Sequence, residues 1–77
     1  MDRFICILGA LRDEINLIRG QMIVDEQLKL GHADAWVGSW EGVRIILVRT
    51  GIGKDFALRA LEKVLNRMRP SLILSIG

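Results

Sequence analysis

Phe4 to Leu8 is a short apolar run rich in β-branched residues and closed by Gly9, the pattern of a strand buried on both faces. Leu11, Ile15 and Ile18 then recur at spacings of four and three. With Asp13 and Glu14 in the first turn and Gly20 just past the end, they predict a short helix. Met22 to Leu30 mixes apolar and polar positions up to Gly31 and predicts a strand at the sheet's edge or on its exposed side. Ala33, Ala35 and Val37 alternate with Asp34 and Trp36. Glu41 and Gly42 then separate this segment from Val43 to Val48 as a tight hairpin turn does. Between Gly51 and Pro70, the residues Phe56, Ala57, Ala60, Leu61, Val64, Leu65 and Met68 form one apolar stripe of helical period. Pro70 stops that helix, and Leu72 to Ile76 is a second fully apolar strand, central by composition, running into Gly77.

The order β-α-β-β-β-α-β predicts an α/β fold with a mixed, twisted sheet and a helix on at least one face. The strand, helix and strand from Val43 to Ile76 form one parallel crossover. The glycines after three strands, Gly9, Gly51 with Gly53, and Gly77, are expected to converge on one carboxyl edge. Open α/β sheets place ligand loops there. An architecture that ends on a central strand looks unfinished, so residues 1–77 are expected to be the N-terminal part of one larger α/β domain.

Composition narrows the classes. At 51% hydrophobic and 26% charged the chain is an ordinary globular unit, one folded body at most. A unit of 77 residues buries only roughly 60% of its unfolded surface and has little stability to spare. The formal charge of +2 is scattered, which argues against nucleic acid as a partner; Arg67 and Arg69 read as a solvated helix end. Cys6 is the only cysteine, so no disulfide framework or paired-thiol metal site is expected, and a reducing, cytoplasmic setting fits. Neither a signal-peptide layout nor an apolar run of about 18 residues occurs, so no membrane partner is expected.

Two phosphate motifs fail. The run from Thr50 to Asp55 contains Gly53-Lys54 but has Val48 where a P-loop needs its first glycine and Asp55 where it needs Ser or Thr. After the first strand, Gly9 to Glu14 lacks the second and third glycines of a dinucleotide fingerprint. A helix beginning at Gly53 or Lys54 still offers unpaired amides to an anion or a sugar hydroxyl, with ordinary tight turns as the plainer reading. Glu14 stands where an early-helix carboxylate reaches back over the sheet edge. Asp13 competes with it, and a simple dipole role is the plainer reading of either.

The opening FICILGALRDE, the middle VRTGIGKDFA and the ending PSLILSIG together resemble the first third of the nucleoside phosphorylase and nucleosidase superfamily. The nearest branch is the methylthioadenosine/S-adenosylhomocysteine nucleosidases. The resemblance implies a three-layer αβα fold, no cofactor and no metal, a homodimer, and cleavage of the N-glycosidic bond of a purine nucleoside by water or phosphate. It implies that Glu14 orients and deprotonates the water, that Ala10 and Leu11 line the pocket near the nucleophile, that Ile52 and Gly53 pack against the sugar's distal substituent, and that Gly77 opens a substrate loop. The family's base-binding segment, its ribose carboxylate and the aspartic acid that protonates the leaving base have no counterpart here. The 77 residues alone are therefore expected to be inactive.

Arg12 replaces an acidic residue of the nucleosidase pattern, and Ser75-Ile76-Gly77 replaces its NTG, which brings in futalosine hydrolases and hopanoid-associated phosphorylases as relatives. The GDPxR phosphate signature of one phosphorylase branch is missing, which favours hydrolysis, although Arg12 or Arg49 offers a phosphate contact. His32 reads as an exposed turn residue. Trp36 and Trp40 share a strand face and read as packing, with base stacking as the alternative. A non-catalytic α/β module binding a partner or small anion is the competing class.

Overall fold

A computed structural model describes residues 4–31, 33–50, 59, 62–66 and 69–76. Its elements are β1 (Phe4–Gly9), α1 (Arg12–Gln21), β2 (Ile23–Leu30), β3 (Ala33–Trp40), β4 (Val43–Arg49) and β5 (Leu72–Ile76). The strands form one sheet in the order β2-β3-β4-β1-β5. β2, β3 and β4 run as an antiparallel meander, while β1 is parallel to both β4 and β5. This is the mixed sheet read from the sequence, with β1 in an interior position where Cys6, Ile7 and Leu8 are all buried.

Alternation along the strands divides the core into two layers. On one face Cys6, Leu8, Ala35, Val37, Ile46 and Val48 pack with Val64, which belongs to the helical residues 62–66. On the other, Ile7, Trp36, Ile45 and Leu47 pack with Ile15 and Met22 from α1 and its exit. Helical segments thus cover both faces, which gives the three-layer arrangement. The rest of the predicted stripe from Phe56 to Met68 lies outside the described residues, apart from Leu65, which is exposed on the rim of its helix.

Three local expectations change. Gly20 lies inside α1, not past its end. The helix stops after Gln21 because Met22 turns extended and carries its side chain into the core, with its N–H bonded to the Ile18 carbonyl. Leu11 is the N-cap, with its side chain 48% exposed, and so is not part of the buried stripe. β5, apolar enough for a central strand, is the terminal strand of the sheet among the described residues, with Leu72, Ile73 and Leu74 exposed.

Gly38 is required by close packing and Gly42 by its backbone conformation. A Cβ at Gly38 would sit 1.8 Å from the Ile23 carbonyl oxygen, where β2 bulges between Val24 and Glu26 and crowds onto β3. At the hairpin tip Glu41 (φ 52°) and Gly42 (φ 79°) are both left-handed, the mirror-image turn that suits strand twist.

Candidate functional site

Because β1, β4 and β5 are parallel and in register, Gly9 lies beside Arg49 on one side and Ile76 on the other. Their carboxyl ends therefore form one edge, which holds Gly9; Gly51, Gly53 and Gly77, predicted to gather there, lie outside the described residues. Thr50, just beyond β4, is tied to that edge: its N–H donates to the Gly9 carbonyl at 2.9 Å and its buried hydroxyl donates to the same oxygen at 3.4 Å. The end of β4 is thus pinned to the point where the chain leaves β1 for α1.

Gly9 also sets how close α1 can come. An added Cβ there would lie 2.6 Å from Ile15 Cδ1, and Ile15 is fully buried. The absent side chain lets the first turn of α1 settle onto the strand end, and this first turn carries Asp13 and Glu14. The two carboxylates then separate. Asp13 is exposed, while Glu14 is half-buried and its Oε2 is wholly buried without a hydrogen-bond partner among the described residues. A buried carboxylate oxygen lacking a partner is costly, and native proteins rarely keep one without a use for it. Asp13 and Glu14, alternatives on the residues alone, thus differ in burial.

Ala10 and Leu11 link β1 to α1 on the same edge, Ala10 half-buried and Leu11 open to solvent. Leu11 offers no side-chain hydrogen bond to cap the helix, so the first-turn amides are unmet by their own N-cap. Ile52, Gly53 and Gly77 lie outside the described residues, as does His32.

A cationic cluster flanks the edge on the α1 face, and its connectivity is not visible in any local pattern of residues. Asp34 of β3 sits across from Arg49 of β4 and Lys29 of β2; it pairs with Arg49 and lies 3.1 Å from Lys29 Nζ. The Lys29 hydrogen bond, followed by that of Arg49, holds the Asp34 carboxyl below its ordinary range, outweighing partial burial. Arg49 also lies over the buried Trp36 ring at 5.9 Å, and Arg19 from the last turn of α1 lies over it at 5.2 Å. Trp36 is therefore a packing residue beneath α1. No group of three or more metal-ligating side chains occurs among the described residues.

The fold and the edge define the class: an α/β unit with a mixed five-stranded sheet, carrying an early-helix carboxylate at the carboxyl end of its parallel strands. No protein-family model matches the chain. The particular proteins it is similar to are nucleosidases. It is 30% identical over 73 residues to the 5'-methylthioadenosine/S-adenosylhomocysteine nucleosidase of Bacillus velezensis, covering 95% of this chain and 32% of that protein. It is 35% identical over 71 residues to the nucleosidase of the same name from Aeromonas salmonicida, covering 92% and 31%. Among solved structures, the Neisseria meningitidis nucleosidase in complex with methylthio-immucillin-A superposes with a TM-score of 0.90 at 27% identity, over 97% of this chain and 32% of that one. The Helicobacter pylori futalosine hydrolase superposes at 0.84 and 29% identity, over 97% and 33%. The chain spans about a third of the length of the relatives it matches.

Proposed function

We propose that the 77 residues form the nucleophile-side third of an N-ribosyl hydrolase acting on a purine nucleoside of the methylthioadenosine/S-adenosylhomocysteine type. Glu14 is its general base. The observation that carries this reading is the buried Oε2 of Glu14 at the carboxyl edge, which has no hydrogen-bond partner among the described residues. Such an oxygen accepts a proton from a water held beside it. The water oxygen forms a bond to the anomeric carbon, the bond from that carbon to the base nitrogen breaks, and the electron pair leaves with the base. Ala10 and Leu11 line the pocket beside that water. Ile52 and Gly53 pack against the substituent at the far end of the sugar, and Gly77 is a further substrate-binding position.

Water is favoured over phosphate as the attacking group because of Arg49. The Arg49 side chain is held by the Asp34 carboxylate, which it shares with Lys29, and is laid against Trp36, so its guanidinium is already engaged within the sheet. Arg12 is exposed at the start of α1 and is the remaining candidate for a phosphate contact. Neither an acid for the leaving base nor a base-binding segment is identified within these residues, so the 77 residues alone are inactive. The complete protein acts as a cytoplasmic homodimer without metal or cofactor.

The test is release of free base from a small purine nucleoside panel by the full-length protein, with and without phosphate. Release in the absence of phosphate is expected. Strict dependence on phosphate would replace hydrolysis by phosphorolysis, and no release from any nucleoside would leave a non-catalytic binding module.

A further inference from the structure

We propose that Arg19 and Trp36 are positioning residues for Glu14. The Arg19 guanidinium over the Trp36 ring sets the roll of α1 about its own axis, and the roll sets how deeply the Glu14 carboxylate sits at the carboxyl edge. The inference rests on the reading of Glu14 as the general base. Helical geometry supplies the lever. Ile15 and the C-cap Met22, both buried, mark the line along which α1 meets the sheet. At about 100° per residue, Arg19 lies about 40° to one side of Ile15 and Glu14 about 100° to the other. The two side chains therefore stand on opposite flanks of the helix. Rolling α1 so that Arg19 leaves the sheet carries Glu14 deeper; the opposite roll lifts it.

The ring is fixed by the sheet and not by the helix. Trp36 is 4% exposed and sits in β3 between Gln27 of β2 and Leu47 of β4. Arg49, paired with Asp34, lies at 5.9 Å from the ring centroid. Arg19 approaches the same ring from α1 at 5.2 Å, inside the range where a cation is drawn to an aromatic face. Neither ion pair made by Asp34 includes Arg19, so its hold on the sheet is the ring itself. β3 lies beyond β4 from β1, so this contact grips α1 to one side of the strand beneath Ile15. The close approach of Ile15 to Gly9 fixes the height of α1 and leaves Ile15 as a pivot; the contact between Arg19 and Trp36 removes the remaining freedom to roll. Favourable charge at the helix's last turn is the plainer role for Arg19, yet that role does not require the guanidinium to lie over a buried ring.

The test uses the full-length protein and reads kcat and KM beside carbodiimide labelling of Glu14, followed by mass spectrometry with the exposed Asp13 as internal reference. Arg19→Met keeps the stem and removes the charge. Its kcat per folded molecule should fall about threefold with KM within about twofold, and the rate of Glu14 labelling should change by a similar factor while that of Asp13 does not. Arg19→Lys should recover most of both effects. In a Trp36→Leu background, Arg19→Met should add nothing further, because the ring it acts on is gone. Leu17→Gln, on the solvent side of α1 at 68% exposure, should leave both readouts unchanged. Arg19→Met lies at the exposed end of α1 and carries the test even where Trp36→Leu does not fold. Labelling reports position without catalysis, so normal turnover in Glu14→Gln would remove the base assignment and leave the labelling result standing. Glu14 labelling unchanged in Arg19→Met, or losses that add in full in the double variant, would overturn the proposal.

Discussion

Glu14 and Asp13 are adjacent carboxylates in one helical turn, and only their surroundings distinguish them. Glu14→Gln in the full-length protein keeps the shape and removes the carboxylate proposed as the general base. Turnover should fall at least about a hundredfold with the fold unchanged, whereas Asp13→Asn should cost little. Steady-state kinetics beside circular dichroism check both, and near-normal turnover in Glu14→Gln would remove it from the mechanism. At the hairpin tip, Glu41 occupies a left-handed conformation that asparagine tolerates better. Glu41→Asn should therefore raise unfolding free energy by about 0.5 kcal/mol, measured in urea. Asp34 has a pKa lowered below 3.8 in the folded state, so its contribution is present above that value and is lost as pH falls through the lower folded one. In Asp34→Asn the acid-side fall in stability should be shallower below about pH 4, with a loss of up to about 1 kcal/mol at neutral pH.

The element that matters most to the candidate site is α1, and Gly9 governs its seat. Gly9→Ala forces the new methyl against Ile15 and, behind it, Ile76 at 3.2 Å. Either the Ile15 side chain leaves its rotamer or α1 lifts, at a cost of about 1–3 kcal/mol, and a lift carries Glu14 with it. In the full-length protein turnover should therefore fall more than the loss of folded protein explains; a kcat per folded molecule equal to that of the parent would show that α1 had not shifted. The apolar period of α1 was readable at Ile15 and Ile18, but its end was not. Glycine is a common stop signal, yet here the stop comes from Met22 seeking the core, a demand set by the sheet beneath and not by residue 20. The hairpin from β3 to β4 was legible because its turn and its alternation are both local signals.

For the molecule as a whole, Cys6 offers a direct probe. It is fully buried in the middle of β1, and burial pushes its thiol up to about 11. At pH 8 a thiol reagent should react with the folded chain only through opening of the sheet, and labelling should accelerate sharply across the urea transition. Rapid labelling without denaturant would mean that β1 is not held in the interior of the sheet.

The fold class, the two apolar strands and the hairpin from β3 to β4 follow from periodicity and turn chemistry, which each segment carries in its own residues. Glu14 was nameable as one of two carboxylates, and resemblance to a family singled it out. Tertiary structure alone decided that Glu14 and not Asp13 buries an oxygen, that Arg49 pairs with Asp34, that Gly9 and Gly38 are closely packed against Ile15 and Ile23, and that β5 is the last strand of the sheet among the described residues. Each of these depends on what a neighbouring segment, distant in the chain, places against the residue, and no local pattern encodes that juxtaposition.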